Sequence, residues 1–543
     1  MTLKRKINSG IIVFALLALS HSVAFAVKNE STEKTSEDPS SSQQGAPQSS
    51  DQSAINLDSD AMRHVMLNEV ITGLSESELA TLAKTNKALY RLVQSKRDQQ
   101  KTTVFNCSAI SPGTLMGFFA VHRGIERVTL RDATDEHIAT VPLNVTSLNL
   151  AGCEKITNCD SLKSLTNLTS LDLSWCKQIT NCDSLKSLTH LTSLNLSGCR
   201  QIANWEFLKS LTHLASLNLY SCEKITNWEF LGFLTNLTSL DIGGCEKITN
   251  CDFLKSLTNL TSLNLLGSKK ITNWEFLEFL TNLTSLNLGW CTQITNCDFL
   301  KSLTNLTSLN LADCNQITNC DSLKSLTNLT SLDLGGCSQI TNGEFLKSLT
   351  NLTALNLYSC RQIANWEFLK SLTNLTSLNL TRCSQITNGD FLKSLTNLMS
   401  LNLRECTQIT NWDFLKSLTN LTSLDLGGCE QITNWEFLKS LTNLTSLNLG
   451  WCTQITNWDF LRFLPNLMSL DLIACEQITN WEFLRFLPHL TSLDLSYCEQ
   501  ITNWEFLRFL PHLTSLKLSG CTGISNELLF KILPANCNVI RKN

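Results

Sequence analysis

The amino-acid sequence predicts an α/β solenoid of about 17 units, each about 23 residues long, preceded by a small α-helical module. The first observation is a series of leucines that starts at Leu148, continues at Leu171 and repeats the same interval, without slippage, to Leu516. The second is that leucines alternate with polar residues around each of these positions, as in "LTSLNL", which is the period of a strand with one buried face. A single unit cannot bury its own leucines, so we expect the units to stack and their strands to form a curved parallel sheet.

A third observation concerns the segment that follows each strand, such as "TNWEFLKSL". Its apolar spacing is that of a short helix, in which Asn434 can cap the first turn and Glu436 lies within that turn. Leu438 and Leu441 are then expected to face the interior. Each unit should therefore run as strand, turn, short helix and return.

The residues before the repeats divide into three segments. Residues 1–26 combine the basic cluster Lys4–Lys6, a short apolar core and the small residues of Ala24–Ala26, which together indicate a secretory signal peptide. Residues 27–58 are rich in Ser, Gln and acidic residues and are expected to form a disordered linker. Residues 59–97 place apolar side chains at helical spacing and form the predicted helical module.

The array itself should need a cap at each end, because a bare terminal unit would expose its core. We expect an N-terminal cap at residues 98–144, the repeat domain at 145–520 and a C-terminal cap at 521–543.

The composition excludes several classes of function. A net charge of −4 provides no global basic field for nucleic acid or an anionic membrane. No run of 18 or more apolar residues occurs, which argues against stable membrane insertion. Only eight histidines are present, none in a suggestive setting with Ser or Cys, and no glycine-rich phosphate loop appears. The sequence therefore predicts a secreted protein that is not an enzyme.

One column of the repeat is occupied by cysteine. The position five residues after the reference leucine is Cys in 16 of the 17 units, from Cys153 to Cys521, with Ser268 as the exception. Disulfides are the first alternative in an exported protein, but these residues form a single file at the strand ends, where a small buried group can satisfy loop amides. No CxxC or Cys/His grouping of zinc-finger type occurs. We therefore expect structural thiols and no metal or other cofactor.

Buried thiols and a signal peptide point to different compartments, since free thiols suit a reducing environment and export implies an oxidising one. Either the protein is exported and then delivered into the cytosol of another cell, or its thiols are buried as the chain folds. The residues leave both alternatives open.

A second column, eleven residues after the reference leucine, is Trp in nine units, Cys in five and Gly in two. A close-packed interior site would not accept Trp and Gly alike, because such changes in volume cost kilocalories. We therefore expect this column to be semi-exposed where the helix begins. Its indoles either stack on one another as a stabilising ladder or form a lateral patch for a partner.

Partner contacts are expected on the inner face of the sheet. The side chains one before and one after the reference leucine are mostly Ser and Asn or Asp, whereas the third and fourth positions after it vary most. Variable large residues on a uniform scaffold are typical of arrays that bind proteins or peptides, although drift among duplicated units is the alternative. The predicted protein-binding residues are Trp175, Tyr220, Trp290, Asp313, Tyr358, Arg382, Arg404, Glu405, Trp451 and Tyr497.

The pattern L-x-x-L-x-L-x-x-C-x-x-I resembles the cysteine-containing leucine-rich repeats of F-box proteins, and "LTNLTSLNL" is similar to the repeats of bacterial internalins. This resemblance implies a leucine-rich-repeat horseshoe that binds a protein or peptide on its concave face. An internalin-like protein would bind a receptor outside the cell and have no ubiquitin-linked role.

The helical module adds a second resemblance. "GLSESELATLAKTNKALYRLV", residues 73–93, is similar to the second half of an F-box, although the usual leading Leu-Pro is absent, and a plain helical cap is the alternative. The resemblance implies a secreted bacterial effector that holds a host protein while its helices engage a Skp1-like component of a ubiquitin ligase. The residues that would make this scaffold contact are Leu67, Leu74, Leu79, Leu82 and Tyr90.

Overall fold

The computed structural model describes residues 102–541 apart from 456 and 522. The predicted signal peptide, linker and helical module, with Leu67, Leu74, Leu79, Leu82 and Tyr90, lie outside the described residues. The chain forms two compact parts that divide after Cys176, and each is described separately.

The first part, residues 102–176, is a four-stranded parallel sheet whose strands lie in sequence order. Its first helix begins after Ser111, whose Oγ accepts a hydrogen bond from the amide of Thr114, and Pro112 occupies the first helical turn. The elements are β1 (Thr102–Asn106), α1 (Pro112–Val121), β2 (Arg127–Arg131), α2 (Asp135–Ile138), β3 (Ser147–Asn149), a 3-10 helix (Asp160–Leu162) and β4 (Ser170–Asp172).

The second part, residues 177–541, continues the same pattern through sixteen parallel strands in sequence order. Each reference leucine lies opposite the next one, as Leu401 opposite Leu424, so the register advances by one whole repeat per strand. The strands are β5 (Ser193–Asn195), β6 (Ser216–Asn218), β7 (Ser239–Asp241), β8 (Ser262–Asn264), β9 (Ser285–Asn287), β10 (Ser308–Asn310), β11 (Ser331–Asp333), β12 (Ala354–Asn356), β13 (Ser377–Asn379), β14 (Ser400–Asn402), β15 (Ser423–Asp425), β16 (Ser446–Asn448), β17 (Ser469–Asp471), β18 (Ser492–Asp494), β19 (Ser515–Lys517) and β20 (Asn538–Ile540).

The predicted solenoid is confirmed, but the helices that back the sheet in the second part are 3-10 helices of three to five residues. A 3-10 helix rises about 2.0 Å per residue and so spans more distance with fewer residues than an α-helix, which suits so short a repeat. The 3-10 helices are Asp183–Ser187, Glu206–Ser210, Glu229–Phe233, Asp252–Ser256, Glu275–Phe279, Asp298–Leu300, Asp321–Ser325, Glu344–Ser348, Glu367–Ser371, Asp390–Ser394, Asp413–Ser417, Glu436–Ser440, Asp459–Phe463, Glu482–Phe486 and Glu505–Phe509. An α-helix, α3 (Asn526–Ile532), follows β19.

Within one unit the capping prediction holds. Asn434 Oδ1 accepts a hydrogen bond of 3.0 Å from the amide of Glu436, and Leu438 and Leu441 are fully buried. Glu436 also pairs with Lys439 at the next turn, a contact between exposed groups that contributes little.

The asparagine of the recurrent "NLT" sequence links neighbouring units. Asn420 Nδ2, for example, donates a 2.9 Å hydrogen bond to the carbonyl of Thr396 in the preceding unit. The same bond joins Asn443 to Thr419 and Asn397 to Thr373. The repetition of this asparagine therefore has a structural cause in the bonding between units.

The cysteine column lies in the core. The 23 cysteines, all within the described residues, form no disulfide bond, and in the repeats each thiol typically donates to a leucine carbonyl of the preceding unit, as Cys452 Sγ does to Leu426 O at 3.2 Å. The expected bonding to loop amides also occurs, since the Ala133 amide donates to Cys153 Sγ at 3.3 Å. Burial raises the pKa of Cys406 to about 12, so the thiol stays protonated and unreactive.

The prediction that the tryptophan column is semi-exposed was wrong, because these indoles are buried, with Trp435 only 6% exposed. The indoles pack against phenyl rings rather than against one another. Trp435 lies between Phe437 of its own unit and Phe460 of the next, with ring centroids 6.0 Å away in each case. The column is therefore one half of an alternating Trp–Phe stack, which runs without a break from Trp412 to Phe506.

Candidate functional site

The candidate site is the row of strand-end turns, defined as the residue four positions after each reference leucine. Trp451 occupies such a turn with a φ of 62°, and its amide donates a 2.8 Å bond to the carbonyl of Ile473 in the next unit. The 17 turn residues of the repeats all have a positive φ. Seven are glycines, and the others are Trp175, Ser221, Trp290, Asp313, Ser359, Arg382, Glu405, Trp451, Ala474 and Tyr497.

A left-handed backbone conformation normally favours glycine, and a bulky residue there costs about 1 kcal/mol or more. Seven of the ten predicted binding residues nevertheless occupy strand-end turns, namely Trp175, Trp290, Asp313, Arg382, Glu405, Trp451 and Tyr497. Four of these are exposed aromatics, and Trp451 presents 46% of its surface to solvent. Large apolar side chains that are both strained and exposed do not stabilise the fold, which favours a role in binding.

The remaining three predicted residues, Tyr220, Tyr358 and Arg404, directly precede a turn residue and are half-buried. The space available to such a side chain depends on the next unit, because a Cβ atom on Gly243 would lie 3.2 Å from the ring of Tyr220. Turn residues also depend on the next unit. Asp313, Glu405 and Tyr497 each lie over a turn glycine of that unit, where a larger side chain would meet them.

Four of the predicted residues line one cleft of about 600 Å³ in the second part of the chain. They are Arg382, Arg404, Glu405 and Trp451. The other predicted residues of the second part do not line this cleft, namely Tyr220, Trp290, Asp313, Tyr358 and Tyr497, and Trp175 belongs to the first part of the chain. The cleft brings these four predicted contact residues together, and we call it the arginine cleft.

An ion-pair network lies within the arginine cleft. Arg382 makes a bidentate contact with Glu405, through Nε–Oε2 at 2.6 Å and Nη2–Oε1 at 3.1 Å. Arg404 Nε also approaches Glu405 Oε1 at 3.4 Å. The hydrogen bond with Glu405, followed by one with Tyr358, raises the pKa of Arg382, and the bond from Arg382 lowers the pKa of Glu405.

Sequence reasoning missed five lining residues of the cleft. Four of them, Arg361, Ser384, Thr407 and Glu430, stand one position after the cysteine column, and Gly428 is a strand-end turn. The position after the cysteine varies among Glu, Lys, Arg, Thr, Ser and Asn along the chain. That variability is the signal that could have identified these residues.

The Asn and Asp side chains one position after the reference leucine accept hydrogen bonds from backbone amides next to the strand-end turns. Asn448 Oδ1 accepts a 2.9 Å hydrogen bond from the amide of Gly450, and Asp471 Oδ1 accepts one of 3.0 Å from Ile473. Burial raises the pKa of the Asp241, Asp425 and Asp471 carboxyls. The described residues hold no group of three or more His, Cys, Asp or Glu side chains placed to bind a metal ion.

No helix among the residues that the structure describes combines the length and apolarity that crossing a bilayer requires.

Comparisons with protein families identify several segments of repeats. A model described as leucine-rich repeats in two copies matches residues 281–325, 327–371 and 396–440. A model of the BspA-type leucine-rich-repeat region matches residues 142–243, and a third leucine-rich-repeat model matches residues 440–457, 486–503 and 509–527. No curated protein matches the chain.

Solved structures with a similar fold include a leucine-rich-repeat protein of Leptospira interrogans, which is 22% identical and has a TM-score of 0.50 over 74% of this chain and 97% of its own. An internalin of Listeria monocytogenes is 28% identical, with a TM-score of 0.48 over 67% of this chain and 95% of its own. A Listeria monocytogenes internalin J domain, described as including a cysteine ladder, is 24% identical, with a TM-score of 0.44 over 71% and 69% of the two chains.

Proposed function

We infer, from the premise that this chain is a leucine-rich-repeat protein, that it binds a partner protein through its strand-end turns. Leucine-rich repeats are non-enzymatic scaffolds in most settings, and their uniform core leaves the variable surface positions free to specify a partner. The single observation that carries the proposal is the retention of exposed bulky residues, such as Trp451 and Tyr497, in left-handed turns where glycine would be more stable.

The composition of the turns supports a protein partner. Trp, Tyr and Arg are the residue types that most often dominate the energy of protein interfaces. The described turns contain Trp290, Arg382, Trp451 and Tyr497, and small turn residues such as Gly428 and Ala474 lie among them and leave room for side chains of a partner. We propose that the partner is a protein or peptide of a host cell and that the chain reaches it after export by its signal peptide.

The experiment that tests this proposal selects binders from a displayed library of random peptides on the full mature chain. Alanine at Trp290, Trp451 or Tyr497 should weaken the selected binders about tenfold or more, whereas Phe279→Ala should have no effect. Phe279 is a matched control because it is also exposed but ends a 3-10 helix behind the sheet. Selected binders that lose affinity only with Phe279→Ala would contradict the proposal.

A second proposal concerns the resemblance of residues 73–93 to an F-box. If these residues form a scaffold contact, the full mature chain should retain a purified Skp1-like protein at micromolar concentration, and Leu79→Asp should abolish retention. Leu79 and Leu82 repeat at helical spacing, as the apolar face of such a contact requires. Equal retention by the wild type and Leu79→Asp, or none by either, would remove the ubiquitin-ligase role and leave an extracellular, receptor-binding role.

A further inference from the structure

The arginine cleft has its floor at Gly428, the strand-end turn glycine among its lining residues. Gly427, which precedes it, also leaves space for the cleft, since a Cβ atom on Gly427 would lie 3.3 Å from Arg404 Nη1. A Cβ atom on Gly428 would lie 3.0 Å from Glu405 Cγ. Trp451 stands on the opposite side of these glycines from Glu405, one unit further along the chain. The two glycines therefore create a depression about one repeat wide.

The lining of the cleft carries more positive than negative charge. Arg361, Arg382 and Arg404 face Glu405 and Glu430, which is three positive groups against two negative ones. Asp425 lies outside the lining, half-buried, where it accepts a 2.9 Å hydrogen bond from the amide of Gly427 and interacts with the charge of Arg404. The excess of arginines in the lining is therefore small, and the case for an anionic group depends on how Arg404 is held.

Arg404 is positioned for such a group by the residues around it. Glu405 engages its Nε atom, while no acceptor among the described residues bonds either of its Nη atoms. A guanidinium held at Nε presents its terminal N–H groups as a fork that matches the two oxygens of a carboxylate. The bidentate Arg382–Glu405 pair keeps Glu405 in place, so the fork is oriented before a ligand arrives.

Trp451 supplies the apolar part of the same site. Its indole is exposed, and Trp451 lines the cleft together with Arg404 and Glu405. A site that combines an oriented guanidinium with an exposed indole suits a segment in which an acidic residue neighbours an apolar one.

We propose that the arginine cleft binds a short acidic peptide segment of the partner, with a carboxylate on Arg404 and an apolar side chain against Trp451. This proposal rests on the proposed protein-binding function and specifies the chemistry of the partner at one place in the array. It also predicts that association weakens as salt is added, because charge–charge contacts near the surface are screened.

The test uses the same displayed peptide library on the full mature chain, followed by titration of synthetic peptides that carry the selected sequences. We expect enrichment of Asp and Glu next to an apolar residue. Arg404→Ala and Trp451→Ala should each weaken those peptides about 10- to 100-fold, and replacing the acidic residue by its amide should reproduce the loss seen with Arg404→Ala. A rise in sodium chloride from about 50 to about 500 mM should weaken binding for the wild type more than for Arg404→Ala.

Two variants serve as matched controls. Arg200 is exposed and pairs with Glu223 at 3.2 Å, and Phe279 is an exposed aromatic residue at the end of a 3-10 helix, but neither lines the cleft. Arg200→Ala and Phe279→Ala should leave the affinity for the acidic peptides unchanged. Thermal unfolding of every variant shows whether the fold is retained.

The outcomes separate this inference from the broader function. Selected peptides that depend on other strand-end turns but are not acidic, or that bind Arg404→Ala normally, would overturn the acidic-peptide proposal while supporting a protein-binding array. The absence of any binder that depends on a turn residue would overturn both. Displacement of the acidic peptide by single-stranded DNA at equal concentration would show that the cleft takes any polyanion, and this too would overturn the peptide assignment.

Discussion

The phenyl ring of Phe368 occupies the space beside Gly343 that an indole fills in other repeats. A Cβ atom on Gly343 would overlap Phe368 Cε1, and a Cβ atom on Gly389 would overlap Phe414 Cε1 in the same way. The phenyl ring that packs against an indole elsewhere therefore moves over the glycine where the indole is missing. This compensation lets one buried column hold both the largest and the smallest side chain.

We predict that Gly343→Ala destabilises the protein by about 1–3 kcal/mol, because the new methyl group collides with Phe368 in a packed interior. Urea unfolding followed by circular dichroism measures the change. Gly124→Ala is the matched control, since a Cβ atom there meets nothing within 4 Å. Combining Gly343→Ala with Phe368→Leu should cost less than the sum of the two single changes, and strict additivity would contradict the proposed collision.

We predict that Trp435→Ala costs about 3–5 kcal/mol in the free energy of unfolding, since it removes a buried ring that packs against both Phe437 and Phe460. Trp451→Ala, which truncates an exposed indole, should change stability by no more than about 0.5 kcal/mol. Denaturant titration measures the free energy of unfolding of both variants. Equal decreases for the two would show that the Trp–Phe stack is not a main source of stability.

Glycine in place of Trp451 should raise the stability of the folded protein. We predict that Trp451→Gly stabilises the protein by about 0.5 kcal/mol, because relief of the left-handed conformation outweighs the extra chain entropy of glycine. Trp451→Ala retains a Cβ atom and should give no such gain. Thermal unfolding together with peptide titration should show a more stable protein that binds less well, and lower stability of Trp451→Gly than of Trp451→Ala would refute the strain argument.

The one serine in the cysteine column offers a further test. Ser268 is fully buried, and its hydroxyl has no hydrogen-bond partner among the residues that the structure describes, whereas Cys291 Sγ donates to Leu265 O at 3.3 Å. We predict that Ser268→Cys raises the free energy of unfolding by about 1 kcal/mol and that Cys291→Ser lowers it by about 1–3 kcal/mol. Urea unfolding under reducing conditions measures both, and a stabilising Cys291→Ser would disprove the role given to the thiol.

The Asn/Asp column predicts a dependence on pH. Burial, and then the nearby Asp494, raise the pKa of the Asp471 carboxyl above its ordinary value. The folded state therefore holds this proton to a higher pH than the unfolded state does, so stability decreases as pH rises between the two pKa values and stays reduced at neutral pH. Asp471→Asn should thus be more stable than the wild type at pH 7, with a smaller difference at pH 3.

The reverse change supplies the control for this prediction. Asn448 accepts the equivalent turn hydrogen bond from Gly450, so Asn448→Asp keeps the bond but adds a half-buried charge. Stability measured between pH 3 and 7 should fall for this variant as pH rises. A loss at pH 7 for Asp471→Asn would contradict the assignment of burial as the dominant influence.

The fold could be predicted from the sequence because the spacing of Leu148 to Leu516 fixes both the strand period and the offset between strands. The type of helix could not, since apolar spacing over so few residues fits a 3-10 helix as well as one turn of α-helix. The burial of Trp435 could not be predicted from its own column alone. The volume at that site depends on a phenylalanine one unit further along the chain, as at Gly343 and Phe368.

The candidate site could be predicted only in outline. The variability of positions such as Glu405 and Trp451 marked a surface, but the positive φ of those turns depends on backbone bonding to the next unit. The arginine cleft depends further on the conformations that Arg382 and Arg404 adopt around Glu405. Side-chain conformations of this kind follow from neighbours in three dimensions and leave no trace in the spacing of the residues.

The unvarying register has a consequence for how such a chain can change over generations. Because Leu401 lies opposite Leu424 in the same way as Leu424 lies opposite Leu447, the junction between any two successive units is nearly the same. Unequal recombination between copies of the repeat could remove or add whole units and rejoin compatible partners each time. The number of units and the order of their turn residues can therefore change by recombination within a gene, while the core between units stays the same.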